Sequence, residues 1–261
     1  MASLETAATA MLAQQLNVDV ISNNIANVNT TAFKRQRAEF VDLLYQSEME
    51  VGSTTSDTGT VTVTGGEFGT GVKLGSVYRM HEQGNMISTG NNLDIAIRGK
   101  GYLLVNLPNG STAYTRAGSL QLDPTGQLVT PQGYAVQPGI TVPTDAVSVT
   151  INASGEVLVK LDGQTALANV GQLQLATFPN EAGLKALGDN LLAETAASGT
   201  AVTGTPGSTG FGNILQGFLE NSNVNMVQEI TTLIAAQRAY ELASKVVQTS
   251  DEMLNQLVQT A

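Results

Sequence analysis

The sequence predicts an α+β protein in which long helices at both ends of the chain enclose an all-β domain. Apolar side chains recur every seven residues near each end, which is typical of helices with a coiled-coil-like apolar seam. In the middle, short runs that alternate apolar and polar residues are separated by turn residues, which is typical of an antiparallel sandwich or barrel. Stretches rich in Gly and Thr join these parts.

Residues 1–40 are predicted to form an N-terminal helix. The predicted seam of this helix is the series Leu4, Met11, Val18 and Ile25. Polar and small residues lie close to the seam, which favours packing on several sides over an ordinary pair of helices within one chain.

The stretch "SNNIANVNTTAFKRQR" (22–37) has two interpretations, a polar ligand-binding loop or a helix end followed by a joint. Asparagines can cap helix carbonyls and tolerate left-handed backbone, so we favour the joint. Phe33 is predicted to be an apolar anchor, and the basic residues are predicted to face acidic groups, including those of neighbouring copies, or the negative end of the helix. The residues predicted to form the joint and inter-subunit contacts are Asn24, Asn27, Asn29, Phe33, Lys34, Arg35 and Arg37.

Residues 41–75 are predicted to hold the end of a helix, over "VDLLYQSEME", and then an arm. Within the arm, residues 52–68 have no helical period, although "TVTVT" alternates as a short strand does. Two interpretations stay open, a flexible loop and an extended arm that becomes ordered against a neighbouring copy.

Residues 76–190 are predicted to form a β domain. Turn chemistry punctuates this region, for example at Asn109-Gly110 and at Asp123-Pro124-Thr125-Gly126. Residues 191–216 are predicted to be a low-complexity return arm. Residues 217–261 are predicted to be a C-terminal helix, with the seam Met226, Leu233, Tyr240, Val247 and Leu254.

The composition excludes several classes of function. Hydrophobic residues make up 42% of the 261 residues, which supports a packed core, while charged residues make up only 13%. A net charge of −10 argues against nucleic acid as a partner. The absence of cysteine excludes disulfides and thiolate chemistry. No apolar run is long enough to span a membrane, and the N-terminus does not resemble a secretory signal peptide.

No catalytic, metal or cofactor site is predicted. His81 is the single histidine and has no neighbour at metal-ligand spacing, so a surface or packing role is expected. Gly99-x-Gly101 lies between two β runs instead of opening a helix, which excludes a phosphate loop. Asp123 and Asp162 belong to turns, where aspartate bonds its own backbone. The chain is therefore predicted not to be an enzyme.

Three long segments resemble one protein family. They are "NVDVISNNIANVNTTAFKRQRAEFVDLLYQ", "GNNLDIAIRGKGYLLV" with "AYTRAGSLQLDPTGQLVTPQGYAVQP", and "GFLENSNVNMVQEITTLIAAQRAYELASKVVQTSDEMLNQL". In this order they resemble the N-terminal signature, the β core and the C-terminal signature of the bacterial flagellar rod and hook family. The length and the "EFVDLLYQ" continuation are closest to subunits of the distal rod. Alternatives are a proximal rod or other axial subunit and, from a different class, a monomeric β-sandwich binding module.

The resemblance implies a helical filament of many copies that transmits torque, with paired terminal helices lining its inner tube and β domains outside. It implies type III export without a cleaved signal peptide, assembly beneath a rod cap, and a rod that crosses the periplasm towards the outer membrane. The implied partners are other copies, proximal rod, hook and hook-junction subunits, and the surrounding P- and L-ring proteins. Family members commonly have Gly where this chain has Ala32, and alanine argues against a left-handed turn there.

Overall fold

The computed structural model of the protein describes residues 2–49, 65–163 and 166–260. The chain divides into two compact units, each of which combines separate stretches of sequence. Unit 1 comprises the described residues of 1–26, 36–78 and 225–261, and unit 2 those of 27–35 and 79–224. The predicted combination of terminal helices and a β-rich middle is confirmed.

Unit 1 contains both terminal helices and four strands. The elements are α1 (Ala2–Ala26), β1 (Gln36–Asp42), β2 (Tyr45–Met49), β3 (Gly66–Gly69), β4 (Val72–Arg79, with Arg79 itself in unit 2) and α2 (Met226–Thr260). Strand β1 pairs with β4, and β2 pairs antiparallel with β3. Neither helix combines the length and hydropathy needed to cross a bilayer.

The helix predicted over residues 41–50 is wrong for residues 41–49, which the structure describes, and the helix predicted over residues 1–40 ends at Ala26. In β1 the side chains alternate between half-buried and exposed, with Ala38 and Phe40 on the covered side. That period of two, typical of a strand, decides the structure. Phe40, Leu43 and Leu44 have the spacing expected on one face of a helix, so the apolar pattern of this segment is also compatible with a helix.

The predicted arm lies mostly outside the described residues, since residues 50–64 are not among them. Its C-terminal end is strand β3, in which Gly69 pairs with Tyr45 of β2. Gly71 follows, with φ of +128°, and a Cβ at this position would overlap the Thr9 hydroxyl of α1. Glycine is therefore required where this loop meets the helix.

Unit 2 consists of short strands and one 3-10 turn. The strands are β5 (Met86–Ser88), β6 (Ile95–Arg98), β7 (Tyr102–Asn106), β8 (Thr112–Thr115), β9 (Gln121–Leu122), β10 (Leu128–Val129), β11 (Ala135–Val136), β12 (Ala146–Ile151), β13 (Glu156–Leu161), β14 (Leu167–Gln172), β15 (Leu175–Thr177), β16 (Lys185–Gly188), β17 (Leu191–Ala193), β18 (Val202–Gly204), β19 (Asn213–Gln216) and β20 (Phe218–Glu220); the 3-10 turn is Glu181–Gly183.

The main sheet of unit 2, as far as the described residues show, has nine strands. Seven of them follow the order β16-β17-β8-β7-β11-β10-β9, and β15 pairs with both β7 and β18. Strands β12, β13 and β14 form an antiparallel meander. Two further ribbons join β6 to β19 and β5 to β20.

The core of unit 2 follows from the sequence of its strands. Strand β7 reads YLLVN and is buried on both faces except at its last residue, while β13 buries alternate residues, Val157 and Val159. The predicted turn at Asp123 is confirmed, because Gly126 N–H donates to the Asp123 carbonyl at 2.9 Å. The predicted return arm over 191–216 is wrong, since β17, β18 and β19 are paired with strands of unit 2.

Helix α2 begins later than predicted, at Met226, because residues 218–220 form strand β20. The Asn225 side-chain oxygen accepts hydrogen bonds from the N–H groups of Val227 and Gln228, at 3.1 and 3.3 Å. Asparagine at this position is a strong helix N-cap, so the start of α2 has a local cause in the sequence.

Candidate functional site

The first candidate site is the contact between the two helices of unit 1. Asn24 lies in the last turn of α1 and its amide donates to the Glu229 carboxylate in the first turn of α2 at 3.1 Å. The same Asn24 amide exchanges two hydrogen bonds of 2.8 Å with the backbone of Gln36 at the start of β1. Asn24, predicted as a joint residue, therefore holds the adjoining ends of α1, α2 and β1 together.

On α1 the predicted seam lies beside the residues that are most deeply buried. The predicted residues Leu4, Met11, Val18 and Ile25 are half-buried. The buried side chains belong to Ala7, Ala13, Ile21 and Asn24. Ala7 and Ile21 are separated by two heptads. Ala7 follows Leu4 by three residues, and Ile21 follows Val18 by three residues. The buried residues therefore form the second row of the same seven-residue repeat.

On α2 the buried row consists mainly of small or polar residues. Leu233 and Val247 of the predicted seam are half-buried, whereas Met226, Tyr240 and Leu254 are exposed. The residues predicted from apolar spacing alone are therefore only partly those that the helix buries. The row that the helix does bury repeats at steps of seven and consists of Glu229, Ala236 and Ser250, with the half-buried Ala243 between them. This row was missed because small and polar residues do not stand out in an apolar pattern.

The second candidate site is the joint, residues 27–35, which lies in unit 2. The Asn27 side-chain oxygen accepts a hydrogen bond from the Thr30 hydroxyl at 3.1 Å, and the Asn190 amide donates to the Thr31 carbonyl at 3.0 Å. Phe33 is half-buried and its N–H donates to the Thr30 carbonyl. The interpretation as a structured joint rather than a ligand loop accords with these bonds.

The expectation for Ala32 is wrong, because its φ is +58°, in the left-handed region. Its N–H donates to the main-chain carbonyl of Glu220 at 2.8 Å, and its side chain is buried. A non-glycine residue pays about 1–2 kcal/mol for this conformation. The hydrogen bond and the burial hold it there.

Three charged side chains from distant parts of the sequence form a buried ion cluster, defined as Lys34, Arg116 and Glu220. One Glu220 carboxylate oxygen lies 2.5 Å from Lys34 Nζ, and the other lies 2.8 Å from Arg116 Nε. The side chains are 5% exposed for the two cations and fully buried for Glu220. Lys34 was predicted to face acidic groups, including those of neighbouring copies, or the negative end of the helix. Its ammonium binds a carboxylate of its own chain.

Every polar group of the cluster has a partner. Lys34 Nζ also donates to the Glu82 carbonyl at 2.7 Å, and Gly84 N–H donates to the Glu220 carboxylate at 2.9 Å. Arg116 donates to three main-chain carbonyls, those of Ile97, Gly99 and Gly101. Its guanidinium also lies 5.7 Å from the centre of the Tyr102 ring, which is within cation–π range.

The carboxylate of Glu220 is kept ionised by the two cations that share it. Burial by itself would raise the pKa of Glu220, but Arg116 and Lys34 outweigh burial and hold that pKa below its ordinary value. Burial lowers the pKa of Lys34; Glu220 opposes this effect and Arg116 adds to it. Glu220 is therefore the ionised group on which both cations depend.

His81 lies beside the cluster. Burial, and then the positive charges of Lys34, Arg79 and Arg116, lower the pKa of His81 to about 4. Burial raises the pKa of Tyr102, so its phenol keeps the proton. The Tyr102 hydroxyl lies 2.8 Å from His81 Nδ1, within hydrogen-bond distance of the neutral ring. The expected packing role of His81 accords with this geometry.

The remaining predicted joint residues are used differently. Arg35 N–H donates to the Asn223 side-chain oxygen at 2.7 Å, and Met80 N–H donates to the Arg35 carbonyl at 2.9 Å. Asn29 and Arg37 are exposed, Arg37 within β1. Their predicted contacts with neighbouring subunits stay predictions. In the described part of the chain, no group of three or more acidic or histidine side chains could hold a metal ion.

Three family models match the chain. A model described as flagella basal body rod protein matches residues 4–34, one described as flagellar hook protein FlgE/F/G D1 domain matches residues 96–159, and one described as flagellar basal body rod FlgEFG protein C-terminal matches residues 215–260. The first match covers much of α1 and the joint, and the third begins just before Glu220 and covers α2.

Several curated proteins are similar over almost their whole length. The flagellar basal-body rod protein FlgG of Caulobacter vibrioides is 59% identical over 254 residues, which cover 97% of each chain. That of Agrobacterium fabrum is 49% identical over 253 residues, again 97% of each chain. That of Bacillus subtilis is 41% identical over 265 aligned residues, which cover 98% of this chain and 97% of its own.

Proposed function

This chain belongs to the family of flagellar basal-body rod proteins and is a structural subunit of the rod, and we propose that its copies build the distal rod as a helical tube that transmits torque from motor to hook. Contacts between unlike surfaces of identical subunits that do not close into a ring produce a helical filament. The proposed arrangement has the helices of unit 1 paired in a coiled-coil-like inner domain and the β-rich unit 2 outside.

The observation that carries this proposal is the apolar surface that α2 leaves exposed. Val227 is 76% exposed and Ile234 is 54% exposed, and both lie on the side of α2 away from the buried row of Ala236 and Ser250. Leu242 and Val246 expose a second apolar pair further along the helix. Apolar side chains on two sides of one helix are suited to neighbours on both sides.

Other copies of this chain are the occupant that we propose for these surfaces. The predicted seam residues that α2 leaves exposed, including Met226 and Tyr240, would contribute to the same contacts. The partners that we propose are those that the family resemblance implies: proximal rod, hook and hook-junction subunits, the P- and L-ring proteins that surround the rod, and the rod cap during assembly. Entry through the flagellar type III export apparatus and a position that crosses the periplasm are part of the same proposal.

Cysteine accessibility tests this proposal directly, because the chain contains no cysteine of its own. Val227→Cys and Ile234→Cys should react with a maleimide in the soluble subunit and become protected in isolated rods. Val147→Cys serves as the matched control, since Val147 is 65% exposed but lies on β12 of unit 2. Equal reactivity of the α2 positions before and after assembly would refute the proposed contacts.

The arm gives a second test. The alternating run in residues 60–64 suits an extended segment that pairs with a neighbouring subunit. Deletion of residues 52–64 should leave a folded subunit and change the stiffness or curvature of the filament, measured by electron microscopy. If the deletion instead unfolds unit 2, the segment belongs to the folded core of the subunit and the proposal for the arm fails.

A further inference from the structure

Two of the segments through which the chain passes between the two units are bonded to each other within unit 2. The joint follows α1 and precedes β1, and residues 221–224, here termed the exit segment, follow β20 and precede α2. Both segments belong to unit 2 although each is continuous with a helix of unit 1. What anchors them within unit 2 decides how a force on either helix reaches the β-rich core.

The joint and the exit segment are bonded directly to each other. Asn223 N–H donates to the Phe33 carbonyl at 3.4 Å, and the Asn223 side-chain oxygen accepts from Arg35 N–H at 2.7 Å. The Asn223 amide also donates to the carbonyls of Met80 and Glu82 at 2.9 and 3.1 Å. The exit segment therefore lies between the joint and residues 80–82.

Glu220, which immediately precedes the exit segment, joins this pair of segments to the core. Its carbonyl accepts from Ala32 N–H, its carboxylate binds Lys34, and the same carboxylate binds Arg116. Arg116 is in turn fixed by carbonyls of residues 97–101, at the ends of β6 and β7. A single buried side chain thus links the joint, the exit segment and the central strands.

We propose that Glu220 is the positioning residue that makes the joint and the exit segment one cooperative element, which is held or released as a whole. The inference that this element carries load between the terminal helices and unit 2 rests on the proposed function in the rod. The cooperative element itself is a property of the soluble subunit. It can therefore be tested without assembly.

The close packing around the carboxylate supports a shared anchor at Glu220, beside the bonds that Asn223 makes. Gly84 donates its N–H to Glu220, and a Cβ on Gly84 would collide with the Asn221 carbonyl. Within the cluster Glu220 supplies the carboxylate that both cations contact, so loss of the bond to Lys34 leaves the Glu220–Arg116 ion pair, whose charges balance. The charge of Glu181 also acts on Lys34, more weakly than that of Glu220. Lys34→Met is consequently the variant that weakens the anchor without leaving a buried charge unpaired.

Hydrogen exchange of the full-length soluble subunit tests the proposal, with Lys100→Met as the control. Lys100 is exposed, so its loss removes one positive charge from the same unit without touching the cluster. In Lys34→Met, exchange at residues 31–35 and at 220–223 should rise together by about tenfold or more, as expected for a lost charge-assisted hydrogen bond. Exchange in β7 and β15 should be unchanged.

Three outcomes would overturn the proposal. An increase in only one of the two segments would show that they are anchored independently. Unchanged exchange in both would show that Lys34 does not hold them. An increase throughout unit 2 would show that the residue contributes only to global stability. Polymerisation of the same preparations is measured separately, so failure to assemble would count against the proposed function and not against the cooperative element.

Discussion

Replacement of Glu220 by glutamine tests the buried ion cluster most severely. The variant keeps the shape of the side chain but removes the carboxylate that accepts from Lys34, Arg116 and Gly84. Two cations with side chains 5% exposed then lose the carboxylate that both of them contact. Removal of one partner from a buried ion pair costs about 3–5 kcal/mol, a large part of the roughly 5–15 kcal/mol that stabilises a typical domain.

Urea denaturation of the full-length subunit, followed by circular dichroism, measures this loss for unit 2. Glu82→Gln is the matched control, since it makes the same chemical change at an exposed side chain of the same unit. The control should change the free energy of unfolding by less than about 0.5 kcal/mol.

A double variant separates the charge from the shape of the cluster. In Glu220→Gln combined with Lys34→Met, only Arg116 remains charged, and it still donates to three main-chain carbonyls. The double variant should therefore be destabilised less than the sum of the single variants, by at least about 1 kcal/mol. A loss below about 1 kcal/mol for Glu220→Gln alone, or strict additivity in the double variant, would refute the reasoning.

Three further predictions concern single positions. Ala32→Gly should leave the free energy of unfolding of unit 2 within about 1 kcal/mol of the parent value in urea denaturation, because relief of the positive φ is offset by the flexibility of glycine and by loss of the buried methyl group; a larger loss of stability would contradict the observed backbone. His81 has a folded pKa of about 4 against an ordinary value of 6.5, so the unfolded chain binds more protons between these values, and stability should fall as the pH drops through this window. Thermal unfolding across the window should show the fall in the native subunit and a weaker fall in His81→Gln; equal falls would exclude His81 as its source. Asn225→Ala should cost α2 about 1 kcal/mol in thermal unfolding followed by helical circular dichroism, and no change would exclude the N-cap role.

The terminal helices and the β-rich middle could be predicted because each depends on local periodicity. The start of α2 also has a local signal in Asn225, although the broad apolar pattern after Gly217 concealed it. Strand β1 was mistaken for helix, since Phe40, Leu43 and Leu44 imitate helical spacing and only pairing with β4 decides between the two.

The buried ion cluster could not be predicted from the sequence. Lys34, Arg116 and Glu220 lie far apart along the chain. Each is a charged residue of a type that is usually found at the protein surface. Their pairing depends on the tertiary packing of the joint against β20 and β8. The left-handed Ala32 was missed for the same reason, since the hydrogen bond to Glu220 that holds it comes from a remote strand.

Helical reconstruction of isolated rods by electron cryomicroscopy tests the central claim most directly. The proposed function predicts a continuous tube built from copies of this chain, with α1 and α2 of every subunit at the inner wall and Val227 and Ile234 covered by neighbouring subunits. A tube whose inner wall is formed by unit 2, or rods that lack this chain, would contradict it.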